Sequence, residues 1–275
     1  SVGTLIVRDG AIVGRGVTAI GGRPHAEPQA LAEAGALAKG ATAYVTLEPC
    51  AHHGRTPPCA EALVAAGVTR VVGAASDPDP RVSGRGYAIL REAGLEVVEG
   101  VLADEAGDQL CGYLTRSRLK RPQMTLKLAV SADGMIGRKG EGQVAITGAV
   151  ARRQVHAMRA ETDAILIGIG TALADDPELT CRLPGLETRS PARIVLDAAL
   201  RLPPASKLAA TARQAPVLLA SSVEADGARR KALAGLGVGF LAVELHEGKI
   251  ALPELLEDLA AQGFMTLMVE GGAET

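Results

Sequence analysis

Short apolar strands alternate with Ala- and Leu-rich helices along most of the chain, and this pattern limits the possible folds more than any other feature. Thr4–Val7 and Ala11–Gly16 predict the two strands of a hairpin, because Asp9-Gly10 between them is a typical tight-turn pair. Further strands are predicted at Ala43–Leu47, Arg70–Ala74 and Glu96–Glu99, and helices at Glu27–Lys39, Cys59–Ala66, Gly86–Ala93 and Asp104–Ser117. Such alternation predicts an α/β fold, in which helices cover a parallel or mixed sheet.

The alternation is interrupted at Lys120-Arg121-Pro122 and then starts again, which indicates a joint between two α/β domains in series. We expect a first domain over residues 1–119 and a second over residues 123–275. The second part has predicted strands at Met124–Ser131, Ala164–Ile169, Ala192–Asp197, Pro216–Ser221, Gly239–Val243 and Met265–Val269, and predicted helices at Val150–Glu161, Ala228–Leu236 and Pro253–Gln262. Several of these strands are continuous apolar runs, as is typical of strands buried on both faces of a sheet.

The composition argues against several classes of protein. The 275 residues carry a net charge of −2 without a block of five Lys or Arg, which argues against a general nucleic-acid binder. No apolar run reaches the roughly 18 residues of a membrane span, and four Cys in so long a chain do not form a disulfide framework. We expect a cytoplasmic homo-oligomer with no nucleic-acid or membrane partner. The chain also looks truncated at both ends, because it opens in a strand-like run without Met and stops just after an apolar strand.

One His and two Cys form the most specific motif of the chain. His25-Ala26-Glu27 is followed by Cys50 and Cys59, and these ligand types suit Zn²⁺. Three protein ligands leave a fourth position for water, whose pKa zinc lowers to roughly 7, and this arrangement is typical of a catalytic site. Glu27, at the start of a helix, is then the catalytic residue that transfers protons, as in the H-x-E…P-C-x-x-C pattern of zinc deaminases.

The spacing departs from that pattern, because eight residues rather than two separate Cys50 from Cys59. His52 or His53 in the intervening loop could replace a Cys as ligand. Alternatively, the motif is a pair of buried thiols and a surface His, with Glu27 as a helix-capping acid. The joint occurrence of all these residues between predicted strands and helices favours the catalytic zinc site.

The segment from Pro49 to Cys59, with its Thr-Pro-Pro-Cys end, and His25-Ala26-Glu27 resemble the corresponding motifs of the bifunctional deaminase–reductases of riboflavin biosynthesis. The resemblance implies a first domain with a cytidine-deaminase-like three-layer αβα fold. It also implies deamination of 2,5-diamino-6-ribosylamino-4(3H)-pyrimidinone 5′-phosphate, a small pyrimidine ribose phosphate that His52 and Arg55 help to hold. A guanidinium suits a phosphate, although Arg55 by itself could equally be a solvated loop residue.

The second half carries a weaker nucleotide-binding signal. Gly168-Ile169-Gly170-Thr171 and Gly271-Gly272 each follow an apolar strand, where glycines let the main chain approach a phosphate. The third glycine of the dinucleotide fingerprint is absent, and no helix of proper length is predicted after Gly170. By themselves, these residues predict only a nucleotide-binding α/β domain.

The family resemblance extends to this half and implies a function for it. Lys127–Gly134, Leu173–Arg182 and Val269–Gly272 resemble motifs of the family's NADPH-dependent reductase domain, which is similar in fold to dihydrofolate reductase. By position, the cofactor-binding residues are Ala129, Ala145, Thr171, Asp175, Ser222 and Gly272. The substrate-binding residues are Arg159, Leu179, Arg182 and Glu270. Ala145 stands where the family usually has an aromatic residue, which limits it to a main-chain contact, and Gln143 stands where a serine is usual.

Other interpretations stay open at this point. Arg159 and Arg182 suit a clamp on a ribose phosphate, but without the resemblance Arg159 would be a helix-surface residue. The main alternative function is a single-activity zinc deaminase of a nucleoside or nucleic-acid base, whose second half serves assembly. A zinc-stabilised binding module is a further alternative, and it needs a fourth ligand. No role is assigned to His156, His246, Cys111 and Cys181.

Overall fold

A computed structural model describes residues 1–53, 57–137 and 144–272. The chain forms two compact units, Ser1–Leu119 and Lys120–Thr275. Each unit is built from a sheet and helices, which confirms the predicted α/β class. None of the described helices is long and apolar enough to cross a membrane.

The described part of the first unit contains a five-stranded mixed sheet. Its strands are β1 (Gly3–Arg8), β2 (Ala11–Val17), β3 (Thr42–Leu47), β4 (Arg70–Ala75) and β5 (Glu96–Val98), in the order β2-β1-β3-β4-β5. Strand β1 pairs antiparallel with β2 and β3, whereas β3, β4 and β5 run parallel. The predicted hairpin turn is confirmed, with Asp9 and Gly10 at φ values of 51° and 76°.

The helices of this unit are α1 (Ala26–Ala34), α2 (Cys59–Ala65), α3 (Arg85–Glu92), α4 (Ala103–Gln109) and α5 (Cys111–Leu119). Helix α1 packs closely on β2, because two glycines of that strand leave room for it. A Cβ on Gly16 would lie 1.9 Å from the carbonyl oxygen of Ala26, and one on Gly14 would lie 2.1 Å from that of Ala30. The glycines of β2 therefore fix how closely the start of α1 approaches the sheet.

The second unit contains, among its described residues, a six-stranded sheet in which neighbouring strands run parallel. Its strands are β6 (Gln123–Leu126), β7 (Ala164–Gly168), β8 (Ala192–Leu196), β9 (Val217–Ser221), β10 (Gly239–Ala242) and β13 (Thr266–Val269), in the order β10-β9-β8-β7-β13-β6. A separate antiparallel pair consists of β11 (Leu245–His246) and β12 (Lys249–Ile250). Because the carboxyl ends of parallel strands meet at one edge, the residues that follow β7, β9 and β13 lie along that edge.

The helices of the second unit are α6 (Ala149–Glu161), α7 (Ile169–Asp175), α8 (Lys207–Ala210), α9 (Gly227–Gly235) and α10 (Leu252–Ala261). Two buried apolar clusters fill the unit. Ile165 belongs to the cluster that contains Leu208 and Leu233, whereas Leu166 packs with Leu255. Because successive strand residues point to opposite faces, the sheet is buried on both faces, as its apolar runs predict.

Two predicted helices have different bounds in the structure. The helix predicted for Glu27–Lys39 is too long, since α1 ends at Ala34 and a short 3₁₀ turn, Gly35–Ala38, follows. Gly35 adopts a φ of 51° and so ends the helix before the predicted end at Lys39. The single helix predicted for Asp104–Ser117 is divided at Leu110 into α4 and α5.

One prediction in the second unit is also wrong. The strand predicted for Met124–Ser131 ends at Leu126, because its ladder with β13 ends where Leu126 faces Val269. After β7, helix α7 begins at Ile169 and is only seven residues long.

Candidate functional site

The residues of the predicted metal motif lie together in the first unit. His25 directly precedes α1, Cys50 follows β3, and Cys59 begins α2. The Nδ1 atom of His25 lies 3.7 Å from Cys50 Sγ and 3.4 Å from Cys59 Sγ, and the potential ligand atoms are all within 4.8 Å of one another. The ends of a strand and of two helices thus bring one imidazole and two sulfur atoms together.

These spacings fit a tetrahedral zinc ion. With Zn–N of about 2.0–2.1 Å and Zn–S of about 2.3 Å, a tetrahedral angle separates nitrogen and sulfur by about 3.6 Å. The observed distances of 3.4 and 3.7 Å lie on either side of this value. The amide of Cys59 also donates to Cys50 Sγ at 3.2 Å, which favours the thiolate that metal binding requires. The donor set therefore fits zinc with three protein ligands.

The protonation of the cluster also suits a cation site. Hydrogen bonds from the Cys59 thiol and from His25 lower the pKa of Cys50 to about 4. The hydrogen bond to Cys50, together with burial, raises the pKa of Cys59, and the hydrogen bond to Cys50 raises that of His25. One sulfur thus keeps its proton until a cation takes its place.

Glu27 lies in the first turn of α1, next to this cluster, and only 3% of it is exposed. Burial raises the pKa of Glu27, because a carboxylate is disfavoured away from water. The neighbouring Glu27 carboxylate contributes to the raised pKa of Cys59. A buried carboxyl group beside the metal ligands, with its pKa above the ordinary value, is suited to carry a proton in acid–base catalysis.

Glu48 holds the turn that carries Cys50. Its carboxylate is buried and accepts the main-chain N–H groups of Gly84 and Gly86 at 3.1 and 3.0 Å. Gly86 has no space for a side chain, since a Cβ there would lie 2.0 Å from the carbonyl oxygen of Pro49. The turn at Pro49 is therefore fixed against the start of α3, which positions the sulfur of Cys50.

The loop after Cys50 carries the residues predicted to hold the deaminase substrate. The Nδ1 atom of His52 is buried and has no hydrogen-bond partner among the described residues. The Nε2 atom of His53 lies 3.5 Å from a carboxylate oxygen of Glu61, so the structure gives it a partner other than a metal ion. Arg55 lies outside the described residues. A cavity of about 540 Å³ borders the loop, and its lining includes Ala51, His52, His53, Arg81, Arg85 and Glu92.

In the second unit, two cationic side chains lie next to the carboxylate of Glu270 at the carboxyl end of β13. Arg159 on α6 donates through Nε and Nη2 to the Glu270 carboxylate at 3.1–3.2 Å, and Lys127 Nζ lies 3.6 Å from Glu270 Oε2. The Arg159 and Glu270 side chains are each 11% exposed, so they form a buried ion pair. The alternative of a helix-surface arginine is therefore wrong for Arg159.

Arg159 also reaches the segment that carries the other two predicted substrate residues. Its Nη1 atom donates to the carbonyl oxygen of Thr180 at 3.2 Å, between buried Leu179 and exposed Arg182. Arg182 donates through Nη1 to Glu178 Oε2 at 2.7 Å. Most of the N–H groups of Arg159 thus bind protein acceptors. In the described contacts, fewer N–H groups of the Arg182 guanidinium have such an acceptor, so more of them can bind a ligand.

Part of the predicted cofactor site is also brought together. The amide of Gly272 donates to Thr171 Oγ1 at 3.3 Å, which joins the end of β13 to α7, and Asp175 is the last residue of that helix. Ser222 follows β9, which is separated from β7 by β8 in the same sheet. These residues therefore lie along one edge of the sheet, where nucleotides bind in open parallel sheets.

The remaining predicted cofactor residues lie on other segments of the second unit. Ala129 follows β6, and Ala145 lies in an exposed stretch before α6. No hydrogen bond of the described residues joins either of them to Thr171 or Gly272. Gln143 lies outside the described residues.

Comparison with known proteins assigns the chain to a family. The model of the RibD C-terminal domain matches residues 122–275, and that of the cytidine and deoxycytidylate deaminase zinc-binding region matches residues 1–75. Riboflavin biosynthesis protein RibD of Aquifex aeolicus is 41% identical over 275 residues, which are 100% of this chain and 75% of the relative. The Escherichia coli RibD is 42% identical over 284 residues, with 99% of this chain and 75% of the relative covered. The chain belongs to the RibD family.

Solved RibD structures share this fold. Form 1 of Acinetobacter baumannii RibD matches with a TM-score of 0.85 at 40% identity, covering 99% of this chain and 74% of its own. A diaminohydroxyphosphoribosylaminopyrimidine deaminase/5-amino-6-(5-phosphoribosylamino)uracil reductase of Thermotoga maritima has the same TM-score at 35% identity, with 99% and 74% covered. The predicted succession of a deaminase-like and a reductase domain is confirmed.

As a RibD family member, the chain is a bifunctional enzyme of riboflavin biosynthesis, with a zinc-binding deaminase domain and an NADPH-dependent reductase domain. The match of a reductase domain to residues 122–275 removes the support for a second half that only serves assembly. The match of the first unit to a deaminase region likewise disfavours a binding module.

Two groups next to the predicted RibD reductase residues were missed in the sequence. Lys127 contacts Glu270, and His156 accepts the main-chain N–H of Arg182 at Nδ1 over 3.3 Å. His156 precedes Arg159 by three residues in α6, and residues at this spacing share a helix face. This spacing from Arg159 is the sequence signal that could have pointed to His156. It is a weak signal, because the sequence does not show what this face of α6 contacts.

Proposed function

We propose that residues 1–119 remove the pyrimidine amino group of 2,5-diamino-6-ribosylamino-4(3H)-pyrimidinone 5′-phosphate, and that residues 123–275 reduce the ribosyl group of the product to ribityl. The Thermotoga maritima relative is named for a deaminase and a reductase of this kind. The observation that carries the proposal is the convergence of His25, Cys50 and Cys59 beside the buried carboxyl group of Glu27.

In this proposal His25, Cys50 and Cys59 hold zinc, and Glu27 is the catalytic proton carrier. Zinc held by these residues would lower the pKa of water to roughly 7 and would so supply a nucleophile for the ring carbon that bears the amino group. Glu27 takes a proton from water at a carboxylate oxygen and delivers it to the departing amine nitrogen, so that the products are a ring carbonyl and ammonia. The burial that raises the pKa of Glu27 supports this role, because it makes the protonated form more available as a proton donor.

His52 and Arg55 are proposed to hold the deaminase substrate. The Nδ1 atom of His52 is buried and has no partner in the described part of the chain, which supports a ligand contact, because buried polar atoms normally have a partner. The neighbouring cavity of about 540 Å³ has the size of small-molecule sites. Arg55 adds a guanidinium that suits the substrate phosphate.

The reductase site is proposed to lie at the carboxyl edge of the parallel sheet. The proposed cofactor contacts are Ala129, Ala145, Thr171, Asp175, Ser222 and Gly272. NADPH held there would supply a hydride to the anomeric sugar carbon as its bond to the ring oxygen opens, and water would supply the proton for that oxygen. Leu179, Arg182 and Glu270 face the substrate. Arg182 is better suited to bind the phosphate, because most N–H groups of Arg159 already donate to Glu270 and Thr180. Arg159 then acts on the substrate mainly by orienting the Glu270 carboxylate.

We propose the cytoplasm as the compartment and a homo-oligomer as the working form, with no nucleic-acid or membrane partner. Free cysteines support a reducing compartment. Light scattering measures the mass of the purified protein in solution, which should be a multiple of the mass of one chain. A mass of one chain would contradict the homo-oligomer.

The test of the two-site proposal compares metal content and both half-reactions in a set of variants. Glu27→Gln should keep zinc but deaminate about 10²–10⁴-fold more slowly. Cys59→Ser should lose zinc and deamination together, whereas Cys111→Ser, a cysteine outside the cluster, should lose neither. All three variants should still reduce substrate that has already been deaminated. Zinc retained in Cys59→Ser, or a joint fall of both activities in Glu27→Gln, would contradict the proposal.

A further inference from the structure

Two of the residues proposed to face the reductase substrate lie on one segment, Glu178–Arg182, which is called the recognition segment below. Leu179 in this segment is buried and has a φ of 58°. Residues with a Cβ rarely adopt this left-handed conformation. The recognition segment therefore depends on neighbouring groups to hold its main chain.

Two buried arginines hold the main chain on either side of Leu179. Arg193 is fully buried and donates through Nη1 to the carbonyl oxygen of Glu178 at 3.0 Å. Arg159 donates through Nη1 to the carbonyl oxygen of Thr180 at 3.2 Å. These two bonds fix the residues before and after Leu179 in the recognition segment.

His156 holds the far end of the recognition segment. Its Nδ1 atom accepts the main-chain N–H of Arg182 at 3.3 Å, while the amide of Cys181 donates to Ser190 Oγ at 3.0 Å. A neutral ring that accepts at Nδ1 carries its hydrogen on Nε2. Burial and the charges of Arg159 and Arg182 lower the pKa of His156, which favours this neutral ring.

We propose that His156 is a positioning residue of the reductase, which holds the main chain of Arg182 so that its guanidinium reaches the substrate phosphate. This inference rests on the role proposed above for Arg182. His156 and Arg159 lie three residues apart in α6, so one turn of a single helix positions both Glu270 and Arg182. Loss of the His156 bond releases the end of the recognition segment and weakens substrate binding, while the cofactor site stays intact.

Three substitutions separate the roles of the two ring nitrogens. In His156→Asn, the side-chain oxygen can replace Nδ1 as the acceptor, whereas in His156→Gln the amide lies where Nε2 was. His156→Ala and His156→Gln should raise the KM for the deaminated substrate about two- to twelvefold, the range that one neutral hydrogen bond is worth. His156→Asn should stay close to the unsubstituted protein. The kcat and the affinity for NADPH, measured by fluorescence, should not change in any of them.

A double variant tests whether His156 acts through Arg182. His156→Ala combined with Arg182→Ala should have the KM of Arg182→Ala alone, because the group that His156 positions is then absent. Additive losses would overturn the proposal, as would an unchanged KM in His156→Ala. Recovery by Gln instead of Asn would also overturn it, since a group at the Nε2 position, and not the Nδ1 bond to Arg182, would then be what matters. Calorimetry measures the affinity for the deaminated substrate without turnover, and the affinities of these variants should fall in the same order as their KM values rise. Failure of the unsubstituted protein to oxidise NADPH would contradict the proposed function, whereas the affinities test the role of His156.

Discussion

Replacing Gly16 by Ala should impair deamination although it alters no proposed ligand. The new Cβ would lie 1.9 Å from the carbonyl oxygen of Ala26 and 2.9 Å from the amide nitrogen of Ala30, both main-chain atoms of α1. Real Cβ atoms stay at least 3.0 Å from other atoms, so α1 has to retreat from β2 by about 1 Å. Glu27 lies in the first turn of α1 and His25 directly before it, so the retreat moves both.

The expected losses follow from the size of this shift. Overpacking a well-packed core typically costs about 1–3 kcal/mol of stability. A misplacement of about 1 Å in an active site can slow a reaction by about 10²-fold. We therefore expect Gly16→Ala to deaminate about 10- to 100-fold more slowly and to bind zinc more weakly, because His25 moves away from Cys50 and Cys59. Reduction of deaminated substrate should continue, since the second unit has its own core.

The assay measures deamination, zinc content after dialysis and reduction, with Gly107→Ala as the matched control. A Cβ on Gly107 in α4 meets no atom within 4 Å, and Ala favours a helix over Gly by about 0.8–1.0 kcal/mol. The control should therefore keep both activities and its zinc. If Gly16→Ala matches the unsubstituted protein in zinc content and deamination rate, the close approach of α1 to Gly16 does not set the positions of His25 and Glu27.

The remaining predictions concern the reductase site and the metal. Arg182→Ala should raise the KM for the deaminated substrate about 10- to 150-fold, since charge-assisted bonds are worth about 1.5–3 kcal/mol, and Arg182→Lys should recover only part of this in steady-state kinetics. Arg159→Met should lower the free energy of unfolding of the second unit by about 3–5 kcal/mol, because it deprives the buried Glu270 of its bidentate partner. Glu178→Gln, which breaks an exposed pair, should cost at most about 1 kcal/mol in the same urea titration. A chelator should abolish deamination but leave reduction of deaminated substrate unchanged, and a parallel loss of both would contradict two separate sites.

The metal cluster could be predicted because its residues stand at the ends of elements whose local pattern is plain. His25 directly precedes a helix rich in Ala and Leu, Cys50 follows an apolar strand, and Cys59 begins a helix after two prolines. Ligand chemistry then limits what one imidazole and two thiols can do when they meet. The family resemblance added the substrate and the reductase residues, whose individual roles stay predictions.

Features that depend on distant partners could not be predicted. Strand β6 ends at Leu126 because its pairing with β13 ends there. The apolar sequence continues to Ser131 and gives no sign of this end. The sequence around Arg159 predicts a surface residue of an amphipathic helix. In the structure Arg159 forms a buried ion pair with Glu270, which lies 111 residues later in the chain. His156 has no sequence motif, and its partner is a main-chain amide, which any residue at position 182 would supply.

Mass spectrometry of the products formed from the diaminopyrimidinone phosphate, with and without NADPH, shows whether the protein carries out two reactions at two sites. Without NADPH, the protein should yield only the deaminated ribosyl compound. With NADPH, it should yield the deaminated ribityl compound, and zinc removal should block both outcomes while deaminated substrate is still reduced. A product that is reduced but still carries the amino group, or no reduced product from the unsubstituted protein, would contradict the account.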